Sequence, residues 1–496
     1  MRRLGLFLLS IILITVGQAF AADDVVTRAM KLYEKRHYVE GASVLREDSV
    51  SVEQGRKGAA NLALGMIYLK NAVLHRELYQ AAVAASHDYL KKLSAAQDKD
   101  RSRFADLYFG QALVESGKAG DAATYLKRFS QGNGVEPRYR AIAKISLGLG
   151  YCQNNETPKG TRLWEGTNVS DPEVKAELAA AFSKAGLVGK NPFVMAEGTL
   201  SEMKRSSKPL SMRMVKNLVA IYARGPGLTE KGLDLLKRSD LKTFSYQETL
   251  GKSKVIHFYD LSLLNDMATL YGQASLAYLE KAMADPKVKD VADFYLGQAC
   301  ALFGSIEESS KIVASFIATS GMPQQYKDRI RVWQGANLHV KNRHIDAAAV
   351  WDEIVQKKPE DPDLIAEILF ACSRIKMEYP KALHKAAGMV EAGEGKRFAV
   401  LNAAIGKYYL GRSDYAKAIS YLEAGRDKGN KNKIESNDPI LLVNLAQAYY
   451  RTKKFSEALE IYFEMSKQFT EVRQIQEAIQ GVYAMEHKSA GDVKIN

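Results

Sequence analysis

The chain has 496 residues, 46% of them hydrophobic, and a formal net charge of +13. This length and hydrophobic content are ample for a large buried surface. The basic charge would suit a nucleic-acid partner, but the sequence has no compact cluster of basic and aromatic residues, so nucleic acid is excluded as a partner.

The N-terminus has the pattern of a secretory signal. Arg2 and Arg3 precede an apolar run at 4–16, and Ala19-Phe20-Ala21 offers a small-x-small cleavage site. The alternative, an uncleaved anchor helix, is disfavoured because the run is about 13 residues long and a spanning helix needs about 20. We therefore predict a signal peptide at 1–21, export by the Sec route with cleavage after Ala21, and a mature chain in a bacterial periplasm.

A repeated pattern follows along most of the chain. A small residue, an apolar or aromatic residue three places later and a second small residue twelve places later return about every 35 to 40 residues. In the clearest copy, Ala446 is followed by Tyr449, by Ala458 and, sixteen places after Ala446, by Tyr462. The small residues allow two helices to approach, and the large residues fill the space between them. The first positions of the copies are Ala29, Gly65, Gly110, Gly148, Gly297, Gly335, Phe370, Gly406 and Ala446.

These copies resemble the tetratricopeptide repeat (TPR), a motif of two antiparallel helices. The residues that carry the resemblance are Leu64-Gly65 with Tyr68, Phe109-Gly110 with Ala122, Leu147-Gly148 with Tyr151, and Leu445-Ala446 with Tyr449 and Ala458. The resemblance implies an all-α fold, a right-handed superhelical solenoid of stacked antiparallel helical hairpins whose first helices line the concave side.

The copies are not evenly spaced, and this irregularity suggests domain limits. Two copies are nearly identical, ADLYFGQA at 105–112 and ADFYLGQA at 292–299, which indicates a duplication. Residues 71–80 lengthen one hairpin, and the register is poor in the middle of the chain. We predict N-terminal repeats at 22–205, a diverged helical segment that could serve as a hinge at 206–262, C-terminal repeats at 263–488 and a disordered tail at 489–496.

The sequence shows no motif for catalysis, cofactors or metals. His339 and His344 lie five residues apart across a turn and are interpreted as surface histidines, and no histidine pair has the spacing of a zinc protease. Cys152, Cys300 and Cys372 lie in different repeats and are predicted to be buried free thiols, because a disulfide needs Cα atoms within about 7 Å. We therefore predict no enzyme activity, no cofactor and no metal.

The candidate binding residues follow the first positions of the repeats. A residue directly after the first position should point into the concave side, where Gln and Lys can hydrogen-bond an extended peptide and Tyr offers a stacking surface. The alternative is that Gln and Lys are simply good exposed helix formers. The predicted row consists of Gln111, Gln298, Lys407, Gln447, Tyr450 and Arg451.

Three functions are compatible with these features of the sequence. The first is a non-enzymatic periplasmic scaffold that binds proteins of an envelope assembly, secretion or export complex. The second is a module that binds peptidoglycan or an anionic polysaccharide, to which the basic charge and 25 tyrosines would be suited. The third is an enzyme similar to a cell-wall lytic transglycosylase, but the repeats leave no room for a catalytic domain after about residue 470. The first is the prediction.

Overall fold

The computed structural model of the chain describes residues 25–47, 57–95, 99–167, 170–205, 210–238, 245–250, 254–259, 262–358, 360–392, 399–427 and 436–488, with 429, 431 and 433. The segments predicted as signal peptide and disordered tail, 1–21 and 489–496, lie outside these residues and stay predictions.

The first half of the chain is a succession of helices that ends in a small sheet. Residues 188–190 add a short 3-10 turn, Val188–Lys190. The helices are α1 Val25–Glu34, α2 Tyr38–Glu47, α3 Lys57–Ser94, α4 Lys99–Glu115, α5 Ala119–Gln131, α6 Pro137–Gln153, α7 Thr157–Trp164, α8 Pro172–Lys184, α9 Pro192–Arg205, α10 Met212–Tyr222 and α11 Thr229–Arg238.

Two antiparallel strands separate these helices from the second half. Strands β1 Ser245–Leu250 and β2 Lys254–Tyr259 pair from Ser245 with Tyr259 to Leu250 with Lys254. A 3-10 turn, Thr470–Val472, precedes the last helix. The later helices are α12 Ser262–Met283, α13 Lys289–Phe303, α14 Ile306–Thr319, α15 Gln324–Val340, α16 His344–Lys357, α17 Pro362–Ile375, α18 Pro380–Ala392, α19 Ala399–Leu410, α20 Tyr415–Ala424, α21 Pro439–Arg451, α22 Phe455–Met465 and α23 Arg473–Lys488.

The described residues form two units. Unit A holds the residues up to Leu74 together with Tyr271–Gln468, and unit B holds His75–Leu270 and the residues from Phe469 onward. In each unit consecutive helices pair as hairpins, such as α4 with α5 and α6 with α7 in unit B, or α13 with α14 and α15 with α16 in unit A. First helices of successive hairpins also contact one another, which gives the α4–α6–α8 and α13–α15–α17–α19–α21 series. The prediction of an all-α fold of stacked antiparallel hairpins is confirmed.

A close contact within several hairpins explains the repeated pattern. A Cβ atom added to Gly148 would lie 2.3 Å from Nε1 of Trp164, and one added to Gly335 would lie 2.3 Å from Nε1 of Trp351. Each indole nitrogen donates a hydrogen bond of 3.0 Å to a main-chain carbonyl of the first helix. Because the second helix approaches so closely, no side chain fits at the first position. The same arrangement is seen in the pairs Gly110–Leu126 and Gly406–Leu422.

Several first helices begin at an Asp-Pro pair. Oδ1 of Asp171 accepts a hydrogen bond from the main-chain nitrogen of Glu173 at 2.7 Å, and Pro172 is the first residue of α8. Asp361 and Asp438 cap α17 and α21 in the same way. Asp at the cap satisfies an amide that has no partner in the helix, and Pro is well suited to the first helical position. These pairs fix where a new hairpin starts.

One hairpin partner is remote in sequence. A Cβ atom added to Gly65 would lie 2.5 Å from Cγ of Leu279, and Oγ of Ser275 donates to the Gly65 carbonyl oxygen at 2.8 Å, 210 residues away. The ring of Tyr68 stacks on Tyr278 with centroids 5.8 Å apart. Thus α3 pairs within unit A with the end of α12. The insertion predicted at 71–80 lies inside α3, which continues unbroken for 38 residues.

The segment 206–262 differs from its prediction in one respect. It contains α10 and α11, which agree with a diverged helical segment, but it also contains the β1–β2 hairpin, which the sequence analysis did not predict. β1 and β2 hold only six residues each, and their apolar residues do not alternate strictly with polar ones, so the sequence shows no clear strand pattern here. The domain limits and the proposed hinge stay predictions.

The cysteines are free, as predicted, but not equally buried. Cys300 and Cys372 are buried, whereas Cys152 is half-buried, and none of the three forms a disulfide. Burial raises the pKa of the Cys300 and Cys372 thiols to about 12. Both are therefore protonated and poorly nucleophilic at neutral pH.

We expect Gly335→Ala to destabilise the protein by about 1–3 kcal/mol, because the methyl group would overlap the buried indole of Trp351 in a closely packed core. The matched control is Gly388→Ala on α18, where an added Cβ meets nothing within 4 Å. There alanine is favoured over glycine by about 1 kcal/mol, so the control should be neutral or stabilising. Urea unfolding followed by circular dichroism measures both variants, and an equal response would contradict the role given to the close contact.

We expect a thiol reagent such as DTNB at pH 8 to modify Cys152 first in the folded protein, because this thiol is half-buried while Cys300 and Cys372 are buried. All three should react after unfolding in guanidinium. Mass spectrometry of the labelled peptides identifies the order. Fast labelling of Cys372 in the folded chain would show that its repeat opens readily.

Candidate functional site

The row predicted from the sequence lies on first helices, but its members are at different depths. Gln111 belongs to unit B, and the other five residues belong to unit A. The buried members are Gln111, Lys407 and Tyr450. The half-buried members are Gln298 and Gln447, and the exposed member is Arg451.

Gln111 and Gln298 each hydrogen-bond to a glutamate two hairpins further along the chain. Nε2 of Gln111 donates to Oε1 of Glu177 at 3.2 Å, 66 residues away, and to Oγ of Ser146 at 3.0 Å. Nε2 of Gln298 donates to Oε1 of Glu367 at 3.4 Å, 69 residues away. The two glutamines occupy matching positions of the nearly identical segments, so the duplication extends to their contacts.

Lys407 and Tyr450 also make contacts inside unit A. Nζ of Lys407 donates to Oδ1 of Asn444 on the next first helix at 3.0 Å. The ring of Tyr450 lies 5.7 Å from that of Phe455, within the last hairpin. The aromatic surface of Tyr450 is therefore largely used in packing, since only 5% of the residue is exposed.

Gln447 and Arg451 are two members that lie close together and retain open surface. Both lie on α21, four residues apart, and hence on one face of that helix. Arg451 is exposed and Gln447 is half-buried. The structure thus brings two of the six predicted residues together at a surface, and their binding of a ligand stays a prediction.

A buried ionic centre in unit B surrounds Glu177. Oε2 of Glu177 accepts a hydrogen bond from Nδ2 of Asn217 at 2.9 Å, besides the bond from Gln111 to Oε1. NH1 of Arg213 and Nζ of Lys216 each lie 3.7 Å from one of its oxygens. All of these side chains are buried, where a carboxylate requires such partners. This centre was not predicted from the sequence, although the charged and amide residues inside the apolar helix α10 are a signal for it.

A second centre in unit B surrounds Lys184. Its Nζ lies 2.6 Å from Oε1 of Glu115 and 3.2 Å from Oδ2 of Asp266, whose Oδ1 accepts a hydrogen bond from Arg224 at 2.7 Å. Burial lowers the pKa of Lys184, but the charges of Asp266 and Glu115 raise it more, and the net shift is upward. The lysine therefore stays charged at neutral pH.

Both centres line one small cavity. Its wall includes Glu177 and Lys216 of the first centre, and Glu115 and Lys184 of the second. The cavity volume of about 20 Å³ is enough for about one ordered water and too small for a peptide side chain. The geometry therefore supports a structural role, in which the two centres fix α4, α6, α8 and α10 against one another.

Unit A has a counterpart of the Glu177 centre at Glu367. NH2 of Arg329 lies 2.8 Å from Oε2 of Glu367, and Nε1 of Trp333 donates to Oε1 at 3.0 Å, alongside the bond from Gln298. Burial lowers the pKa of Arg329, while Glu367 and Asp363 raise it more, so the net shift is upward. Each unit thus holds a glutamate bound by a glutamine and at least one cation, and this glutamate is buried in unit B and half-buried in unit A.

The chemistry of these centres is ion pairing and hydrogen bonding. Among the described residues, no three side chains of His, Cys, Asp or Glu are close enough to hold a metal ion. In the same part of the chain, none of the helices has the length and apolar character needed to cross a bilayer. Arg451 and Gln447 present polar groups at the surface of a first helix, and these groups can form hydrogen bonds and ion pairs with another molecule.

Comparisons with known proteins add little to this geometry. No protein-family model and no curated protein matches the chain. The solved structure of yeast Tom70 is similar over 93% of this chain and 96% of its own, with 11% identity and a TM-score of 0.33. That of the pentatricopeptide repeat protein PPR10 from maize is similar over 94% of this chain and 69% of its own, with 16% identity and a TM-score of 0.25. The TPR-type fold is visible in the hairpins of this chain themselves.

We expect Glu177→Gln to lower the free energy of unfolding by about 3–5 kcal/mol, because it removes the charge that buried Arg213 and Lys216 face. The control is Glu156→Gln, whose pair with Lys159 at 2.8 Å lies at the surface and should contribute little to stability. Urea unfolding of both variants makes the comparison. The structural role of the centre would be wrong if the two substitutions had the same effect.

Proposed function

We propose that the mature chain is a non-enzymatic scaffold that binds partner proteins in the periplasm, as part of an envelope assembly, secretion or export complex. The observation that carries the proposal is the construction of both units from stacked hairpins with polar side chains on their first helices. Such arrays bind through extended surfaces. Enzyme and cofactor sites, by contrast, are usually enclosed pockets of several hundred Å³.

The surface of α21 is the partner-binding region that the geometry supports best. The guanidinium group of Arg451 is exposed, and the amide of Gln447 lies one turn earlier on the same face. An amide can bond the main chain of an extended segment, and a guanidinium group can bind a carboxylate with two parallel hydrogen bonds. The positive net charge of the chain, +13, favours a partner with an acidic surface.

The proposed compartment is supported by the N-terminal sequence. The positive start, the apolar run and the small-x-small site together form the pattern that directs export. Removal of 1–21 takes away two arginines and no acidic residue, so the mature chain stays basic. Attraction to acidic protein surfaces in the envelope is thus retained after export.

We expect the full chain, expressed in its own cell and crosslinked, to recover a small and reproducible set of envelope proteins. The variant Gln447→Ala/Arg451→Ala should lose them, because it removes the amide and the cation of the proposed region. The measurement is quantitative mass spectrometry of the pull-down, with the wall sacculus kept as a separate fraction.

The matched control is Arg473→Ala/Gln480→Ala, which removes the same two residue types from exposed positions of α23. It should keep all partners. A chain without residues 1–21 should stay in the cytoplasm and recover none. Retention with the sacculus and no protein partner would overturn the scaffold proposal in favour of a glycan-binding module.

A further inference from the structure

Two histidines meet at the turn between α15 and α16. His339 lies in the last turn of α15, and His344 is the first residue of α16. Asn342 takes the left-handed conformation between them, with φ of 61°. As a result the chain reverses tightly, and the two Nδ1 atoms come to 2.8 Å from each other.

This contact brings together two imidazole nitrogens, the atoms with which histidine binds transition metals. A neutral imidazole has one donor and one acceptor nitrogen, so an Nδ1–Nδ1 contact means that one proton is shared between the rings of His339 and His344. A metal ion binds an imidazole nitrogen that carries no proton, so an ion bound by both Nδ1 atoms would displace the shared proton to solvent or to Nε2 of one ring.

The distance between the nitrogens is also suitable. Zinc–nitrogen bonds of 2.0–2.1 Å place two ligands of a tetrahedral ion about 3.3 Å apart. The present 2.8 Å separation needs only a small rotation of the two rings. His344 is exposed and His339 half-buried, so this rotation meets little resistance.

The charged groups around the pair are themselves engaged. Nε of Arg343, the residue before His344, donates to Oδ2 of Asp346 at 2.7 Å. The carboxylate of Asp346 therefore offsets the positive charge of Arg343. Nζ of Lys341 donates to Oγ of Ser310 at 3.2 Å, on the neighbouring helix α14. Glu307, at the start of α14, is close enough to Lys341 for its pKa to be lowered, first by hydrogen bonds and then by this lysine.

We propose that His339 and His344 chelate one divalent transition-metal ion of the class that prefers imidazole ligands, such as Zn²⁺, Ni²⁺ or Cu²⁺. Within the described part of the chain no third His, Cys, Asp or Glu joins the pair. The remaining coordination positions are therefore filled by water or by groups of another molecule. Val340 and Ile345, which adjoin the pair in sequence, are 49% and 86% exposed, so this turn is open to such a molecule.

From the sequence alone, no metal was predicted, and His339 and His344 were interpreted as surface histidines. Their separation of five residues is not a known metal-binding spacing on a helix, where ligands lie three or four residues apart. Only the left-handed turn at Asn342 brings the rings together. The pair is not expected to bind Mg²⁺ or Ca²⁺, because these ions prefer oxygen ligands.

The test is calorimetric titration of the untagged mature chain with Ni²⁺ or Zn²⁺ at pH 7.5. We expect one saturable site per chain, weakened at least about tenfold in His339→Ala and in His344→Ala. His384→Ala, which removes a single exposed histidine on α18, is the matched control and should bind as the wild type does. Mg²⁺ should give no signal.

Both substitutions lie at a solvent-open turn, and circular dichroism will confirm that each variant is folded. Binding should also weaken in acid, because protons compete with the metal ion for imidazole nitrogen. Undiminished binding in the double variant His339→Ala/His344→Ala would overturn the proposal. The absence of a saturable site in the wild type up to about 1 mM metal, the weak end of affinities, would overturn it equally.

Discussion

The distance between the two helices of a hairpin is the constraint on which the rest of the structure depends. At Gly148 and Gly335 an indole nitrogen of the second helix occupies the space of a Cβ atom and bonds the main chain behind it. The large residue thus sets the distance between the two helices of such a hairpin. First helices of successive hairpins then contact one another in both units. The buried polar contacts of both units depend on that regular stacking.

The architecture could be predicted because its cause is local. A small residue and a large residue sixteen places later lie in one hairpin, so their contact is encoded within a short stretch of sequence. The partner of Gly65 could not be predicted in this way. The sequence shows that a helix must approach this residue, but the helix that does so carries Leu279 and lies far along the chain. A local pattern shows that the residue at a position must be small. It does not show which helix packs against that residue.

The predicted binding row illustrates a second limit. The pattern correctly placed its residues on first helices, but it treated every such position as open. First helices contact one another in both units, and Gln111 and Lys407 are therefore buried in contacts with later repeats. Glu177 and Glu367 do not stand out in sequence, because their helices carry other charged residues as well. The partners of each glutamate come from two other hairpins, which no spacing rule along one helix can show.

The bonds from Gln111 to Glu177 and from Gln298 to Glu367 each pass over a complete hairpin. In an array in which each repeat contacts only its neighbours, an end repeat can unfold while the remainder stays folded. Each interface between repeats can also bend independently of the others. A bond that skips a repeat makes the opening of one hairpin costly for the hairpins on both sides. We therefore expect the three hairpins joined by each of these bonds to bend less and to unfold less readily one at a time than hairpins that contact only their neighbours.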